Sequence, residues 1–231
     1  MKFTDQGVFL NRISYSDSSL ITTFYTREKG LQKFLFRGGK KKAHNIFPMA
    51  VSELSFYGRP ESELQNLTNV EGSFSHSFQF DPVKSAIAFF MAETTRKCVH
   101  EGDADTELFD FIVGYVEELE STNDLMLFPV SFLIGFSEVL GFKPLIEGRG
   151  MGIFNLDAGT FQRVGNIAER TRRGSGVDII TALLLGDELP KNTTKNARED
   201  ALEAMLDYFM IHVPRFKDLD SYEIVKEVLN G

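Results

Sequence analysis

The chain has no tryptophan and only one cysteine, Cys98, in 231 residues. A single thiol excludes an internal disulfide and any cysteine-rich zinc site, and it fits a reducing compartment. Long hydrophobic runs are missing too. No segment approaches the roughly 20 apolar residues that a membrane-spanning helix needs. The opening Met1-Lys-Phe-Thr-Asp-Gln6 lacks the apolar stretch of a signal peptide. The expectation is a soluble, cytoplasmic protein with no membrane contact. Positive charge is also scarce: 25 Lys+Arg stand against 33 Asp+Glu, a net charge of −8. What is present is apolar material, 42 % of the chain with 22 phenylalanines. That is enough for a sizeable core and argues against wholesale disorder. The length suits one large domain or two smaller ones.

The scarce positive charge is unevenly placed. The first 80 residues hold 10 Lys+Arg and 7 Asp+Glu, whereas the remaining 151 hold 15 and 26. Within the first part it concentrates in Arg37-Gly-Gly-Lys-Lys-Lys42. A local basic cluster on an acidic protein suits a surface that meets phosphates, because contacts to a nucleic-acid backbone come mainly from Lys, Arg and exposed amides.

The first 75 residues read as strands. Gly7–Ser14 and Ser19–Thr26 are rich in β-branched and aromatic residues. Gly30 ends a turn and supplies a positive φ. Leu31–Gly38 alternates, with Phe34 and Phe36 on one face and Lys33, Leu35 and Arg37 on the other. Gly38-Gly39 and the three lysines then read as a mobile loop. Val51–Tyr57 and Leu64–Glu71 complete five short strands, which points to a small barrel. At Asp81-Pro82 the character changes, because Asp is a good N-cap and Pro fits the first helical turn. Apolar residues at helical spacing follow from Val83 to Cys98 and from Leu108 to Leu119. Phe128–Leu140 is a further helix, stopped by Gly141 and Pro144. Asn196-Ala-Arg-Glu199 has capping-box form, and Ser221 is expected to cap a last short helix. Between them, Asn155–Phe161 reads as a hairpin turning at Asp157-Ala-Gly159.

Each chemical motif has a plainer reading beside it. A basic run is more often a solvated face than a ligand site. Here the aromatic opposite face of the strand adds weight, since small barrels bind single strands by a charged groove and stacking rings. Arg12, Arg27 and Lys29 can extend the footprint, and Tyr15, Tyr25 and Tyr57 are stacking candidates, with barrel packing as the alternative for each ring. Gly148-Arg-Gly-Met-Gly152 is a fragment of a dinucleotide fingerprint without its strand–helix context. Gly39-Lys-Lys-Lys42 lacks phosphate-loop spacing, and Gly174-Ser-Gly176 lacks nucleophile-elbow spacing. The histidines, 44, 76, 100 and 212, show no ligand spacing. Glu101 to Glu107 lacks the register of a calcium loop and reads as a solvated loop between helices. Arg170, Arg172 and Arg173 form a second basic cluster that suits nucleic acid or a carboxylate-rich partner, with a surface helix end as the favoured reading. A groove between the apolar helices, rimmed by Arg or Lys, would suit an acidic, apolar-tipped peptide. No nucleophile, base and oxyanion donor assemble, so catalytic residues are not expected.

Several pieces resemble one family in order along the chain: Gly7-Val-Phe-Leu10, Tyr15-Ser-Asp-Ser-Ser-Leu-Ile21, Phe24-Tyr-Thr-Arg-Glu-Lys-Gly30, Phe36-Arg-Gly-Gly-Lys-Lys-Lys42, Leu133-Ile-Gly-Phe136, Leu140-Gly-Phe-Lys-Pro-Leu145 and His212-Val-Pro-Arg-Phe-Lys217. They are similar to the RecO family of bacterial DNA repair proteins. The resemblance implies a non-enzymatic recombination mediator without a cofactor. It implies binding of single- and double-stranded DNA and annealing of complementary strands. It also implies partnership with RecR, contact with the acidic C-terminal tail of single-strand-binding protein, and loading of RecA. Arg37, Lys40, Lys41 and Lys42 match the family's Arg-Gly-basic stretch and inherit DNA binding from it. Lys33 and Arg12 are added on position and charge. Many members carry a four-cysteine zinc motif after the Gly-Phe-x-Pro segment. Here that place reads Ile146-Glu-Gly-Arg-Gly-Met-Gly152 without a cysteine, so no metal is expected there, and the hairpin is expected to hold the space by packing.

The expected fold is α+β. An N-terminal five-stranded OB-fold barrel, residues 1–78, precedes an all-helical domain, residues 79–231. A small Gly-rich hairpin insertion, residues 146–176, stands in place of the zinc motif. The rival readings are a protein-interaction adaptor whose barrel meets acidic proteins instead of DNA, and an unrecognised hydrolase.

Overall fold

The computed structural model describes residues 1–42, 46–59, 62, 64–73, 77–146, 152–163, 170–191 and 193–230. The chain folds as two compact units, one of Met1–Thr122 with Leu219–Val228, the other built on Asn123–Asp218.

The first unit begins with β1 (Lys2–Ser14), β2 (Leu20–Thr26) and β3 (Gly30–Phe36), followed by the short helix α1 (Gly39–Lys42), then β4 (Val51–Tyr57) and β5 (Leu64–Gly72). These strands close into a barrel in the order β1-β2-β3-β5-β4, with β4 returning to β1. All pairings are antiparallel except β3 with β5. That order and its one parallel pair make an OB-type barrel. Alternation fills the interior: Phe9, Phe24, Phe34, Phe36, Leu54, Phe56 and Leu67 form one buried cluster. Phe34 meets Phe24 and Phe56 edge-on, the arrangement that aromatic quadrupoles favour.

A 3-10 turn at Phe78–Phe80 leads into α2 (Pro82–Cys98), and α3 (Thr106–Ser121) follows. Asp81 caps α2 by accepting from the Val83 and Lys84 amides, and Asp105 caps α3 in the same way. The change from strand to helix therefore lies inside the first unit. The segment from Glu101 to Asp105 is not a freely solvated loop. It bridges to Gly30 and Leu31, and the Tyr25 hydroxyl donates to the Asp103 and Asp105 carbonyls at 3.4 Å. Burial pushes the Tyr25 hydroxyl up to about 12.

The second unit contains α4 (Phe128–Val139), a small antiparallel sheet of β6 (Ile153–Asn155), β7 (Thr160–Gln162) and β8 (Thr171–Arg173), then α5 (Ser175–Leu185) and α6 (Lys195–His212). The expected hairpin is present, but β8 joins it as a third strand. The Arg170–Arg173 cluster is therefore a strand and its approach, not a helix end. The sheet is held by packing: the Phe154 and Phe161 rings stack with centroids 4.6 Å apart, and Tyr208 covers Phe154. The chain's single cysteine, Cys98, is on α2 of the first unit, and the strands of this sheet carry none. Residues 147–151, which contain most of the fingerprint fragment, lie outside the described residues, as do His44 and His76.

Two caps differ from expectation. α6 starts at Thr194, whose hydroxyl accepts from the Ala197 amide, and not at Asn196. The final helix α7 (Asp220–Asn230) belongs with the first unit, and Ser221 lies inside it. Its acceptor is Glu93 on α2, which takes the Asp220 and Ser221 amides and the Ser221 hydroxyl. A carboxylate answers the exposed amides of a helix start better than a serine hydroxyl does. Burial raises Glu93, but the Ser221 and Asp220 hydrogen bonds and Lys97 outweigh it and hold the carboxyl below its ordinary range.

Candidate nucleic-acid interface

The two ends of the barrel are used differently. At the β2–β3 end, Arg27 forms a two-point pair with Asp110 of α3, at 2.5 and 3.2 Å, and lies 5.4 Å over the Phe109 ring. Lys29 sits 4.6 Å over the Phe3 ring. Those two cations hold the barrel to its own helix and rings.

The opposite end carries the basic run. Gly38-Gly39 does not open a mobile loop there. Gly38 takes φ 67°, and a side chain on Gly39 would meet the Phe36 ring at 2.8 Å. One glycine thus supplies the left-handed turn and the other a close approach to the core ring. The chain then winds into α1, with the Lys41 amide donating to the Gly38 carbonyl at 3.2 Å. The Lys40 amide donates to the Ser18 carbonyl at 3.2 Å, which fastens α1 to the β1–β2 turn. Glycine pairs read as flexible in sequence because they permit many conformations. Here a specific contact selects one.

Arg37, Lys40, Lys41 and Lys42 are all exposed. None of them forms an ion pair with a carboxylate among the described residues. Lys42 lies 6.0 Å over the Phe36 ring. The structure therefore brings these four together on one ordered turn. The other two candidates are placed elsewhere. Lys33 points outward from β3, about 13 Å along the strand from Arg37 at 3.3 Å per residue, and forms an ion pair with Glu101. Arg12 pairs across from Thr22, on the face that turns toward the barrel interior, and its guanidinium reaches the Ile46 carbonyl at 3.5 Å. The ring candidates also separate. Tyr25 is fully buried and stacked on Phe109, whereas Tyr15 and Tyr57 are exposed. Tyr15 lies in the same β1–β2 turn that Lys40 binds; Tyr57 is on β4.

Beside the basic turn lies a feature that sequence reasoning missed. The outward residues of β1, β2 and β3 form rows across the strands. Val8, Tyr25 and Leu31 make one row, all buried. Asn11, Thr23 and Lys33 make the next, and Ile13, Ile21 and Leu35 the third. Beyond the third row the Tyr15 amide donates to the Ser19 carbonyl, and Arg37 follows Phe36, the partner of Leu20. An apolar row therefore lies between Lys33 on one side and Tyr15 with Arg37 on the other. Its signal was present in the alternation of β3, where Leu35 shares the outer face with two cations.

In the second unit, Arg170 and Arg172 are committed to partners. Arg170 is bound by Asp157 through its backbone amide, 2.8 Å, and its guanidinium, and Arg172 is bound by Asp207. The Arg170 contacts hold the Asp157 carboxyl below its ordinary range. Both arginines line a groove of about 380 Å³ whose apolar surface includes Leu156, Met210 and Ile211.

Comparison with known proteins agrees with this architecture. Residues 1–75 match the family described as recombination protein O N terminal, and residues 79–210 match recombination protein O C terminal. The chain belongs to the recombination protein O family. It is similar over nearly its whole length to proteins named DNA repair protein RecO. That of Bacteroides fragilis is 28 % identical over 243 residues, covering 97 % of this chain and 98 % of the relative. That of Phocaeicola vulgatus is 26 % identical over 235 residues, with the same coverage of each. That of Christiangramia forsetii is 25 % identical over 236 residues, covering 96 % and 97 %. Among the described residues no helix is long and apolar enough to cross a membrane.

Proposed function

We propose that this protein is a cytoplasmic DNA repair and recombination mediator that binds DNA through the basic turn of its barrel and anneals complementary strands. The observation that carries this reading is the set of four exposed cations, Arg37 and Lys40 to Lys42, without carboxylate partners among the described residues of an otherwise acidic protein. The names of the relatives support it. Annealing needs no bond chemistry, and the reading assigns no catalytic residue and no cofactor. Phosphate repulsion opposes the approach of two strands. Cations on an ordered turn offset it and leave the base edges free to pair. Lys33 and Arg12 contribute less on this reading, because Glu101 already neutralises the first and the second faces the barrel mouth.

The proposed partners are single- and double-stranded DNA, RecR, and the acidic tail of single-strand-binding protein, with RecA loading as the outcome. The groove among Leu156, Met210 and Ile211 suits an apolar-tipped acidic tail, with Arg170 and Arg172 exchanging Asp157 and Asp207 for the incoming carboxylates. An annealing assay with complementary oligonucleotides tests the central reading. The protein should speed annealing at low salt, and a Lys40→Glu, Lys41→Glu, Lys42→Glu variant should lose both annealing and binding while keeping its circular dichroism. Absence of any oligonucleotide affinity at low salt would favour the adaptor reading instead.

A further inference from the structure

We infer that Met210 is an oxidation site, and that its conversion to the sulfoxide by a hydroperoxide closes the groove of the second unit to an acidic, apolar-tipped tail. The inference rests on the reading of that groove given above and adds its regulation.

The physical argument starts from which sulfurs an oxidant can reach. The one thiol, Cys98, is buried on α2, and burial pushes it up, so it stays protonated and inert. Met49, Met91 and Met205 are fully buried, whereas Met210 is 45 % exposed and Met126 51 %. Met205 and Met210 share α6, but five residues turn a helix by about 140° and set the two on different faces.

Position gives Met210 a consequence that Met126 lacks. Asp207, Met210 and Ile211 fall on one face of α6, at i, i+3 and i+4. With Leu156, Arg170 and Arg172 they line the groove, and Met126 does not. As a thioether, Met210 continues the apolar surface of Leu156 and Ile211. A leucine would do the same, but a methionine can also be switched. In the oxidation a sulfur lone pair attacks the hydroperoxide. The O–O bond breaks and an S–O bond forms. Sulfur loses two electrons, the peroxide gains them, and its second oxygen leaves as water when the oxidant is hydrogen peroxide. The product is polar. Its oxygen is an acceptor one helical turn from Asp207, which holds Arg172. The sulfoxide therefore removes apolar lining and offers Arg172 an acceptor that competes with an incoming carboxylate. Reduction restores the thioether, so the change is reversible.

The test uses the full chain and a fluorescein-labelled hexapeptide of four aspartates, a leucine and a phenylalanine, read by anisotropy before and after hydrogen peroxide. Mass spectrometry of the digested protein follows each methionine. Met210 and Met126 should gain an oxygen while Met49, Met91 and Met205 do not. Wild-type affinity should fall roughly tenfold, the worth of an apolar side chain taken out of the contact. It should return on treatment with methionine sulfoxide reductases. Met126→Leu should behave as the wild type does. Met210→Leu, a volume-conserving change, should bind before treatment and keep its affinity after it. Full oxidation of Met210 with peptide affinity unchanged would overturn the switch while leaving the groove reading standing. So would an equal loss in Met210→Leu, or a Met210 as resistant to oxidation as the buried methionines. Failure of the untreated wild type to bind the peptide at low salt would overturn the groove reading itself, and the switch with it.

Discussion

Replacing Lys40, Lys41 and Lys42 by Gln removes three of the four cations gathered on α1 and the end of β3. On a single strand each neutralised phosphate contributes about 0.7 to the slope of log affinity against log salt, so four contacts give about 2.8 and one gives about 0.7. Between about 50 and 200 mM salt the wild type should then weaken about 50-fold and the variant only about threefold. The fold should hardly notice. These side chains are exposed, and surface changes of this kind stay within about 0.5 kcal/mol. The Lys42 contact over Phe36, at 6.0 Å, adds a loss of about 0.5 kcal/mol at an exposed site. Fluorescence anisotropy of a labelled oligo-dT at several salt concentrations measures both slopes. Lys33→Gln is the internal control: its charge is already engaged by Glu101, so its slope should stay close to that of the wild type. A triple variant with an unchanged slope, or a Lys33 variant that loses as much as the triple, would refute the reasoning.

Two predictions concern how the first unit is held. Glu93→Gln weakens the acceptor of the α7 start, which should cost roughly 1–3 kcal/mol and speed hydrogen exchange at the amides of Asp220 and Ser221. Because the folded carboxyl is held below its ordinary value of 4.5, its contribution is complete above that value and is lost as pH falls through the lower folded one. The protection of the α7 amides in the wild type, taken relative to intrinsic exchange at each pH, should therefore fall on acidification and be less pH-dependent in the variant. Gly30→Ala is expected to destabilise by more than about 1 kcal/mol. Its φ is 66°, and the added Cβ would meet the Asp103 carbonyl oxygen at 2.2 Å. Urea unfolding measures it, and loss of the Tyr25–Asp103 contact should accompany it.

The strands were legible because a closed barrel buries one face of each, so residue alternation writes the pattern directly into β3 and β4. The helix start at Asp81 was legible because the following proline marks it, and the helix from Phe128 because its apolar run ends at Gly141 and Pro144. The missed features depend on partners remote in sequence. Ser221 looks like a cap, and only the fold brings Glu93 to it from α2. α5 went unrecognised because Gly174 and Gly176 frame its start and resemble loop. The three arginines at 170–173 have no alternation, so β8 could not be told from a helix end, and their acids, Asp157 and Asp207, come from other elements. At the interface the cations were visible as a run, but their freedom was not. That Arg37 and Lys40 to Lys42 have no carboxylate partner among the described residues, while Lys33 and Arg27 have one, follows from which end of the barrel α3 and its leading segment cover. The apolar row was hidden for a similar reason, because it is assembled from single residues of three strands.

The most direct measurement of the central claim is lysine acetylation read by mass spectrometry, with and without saturating oligo-dT at low salt. Bound strand should protect Lys40, Lys41 and Lys42 and leave Lys2 and Lys191, exposed elsewhere on the protein, labelled as before. Unchanged labelling of the three lysines on a demonstrably bound protein, or protection confined to other lysines, would contradict the account.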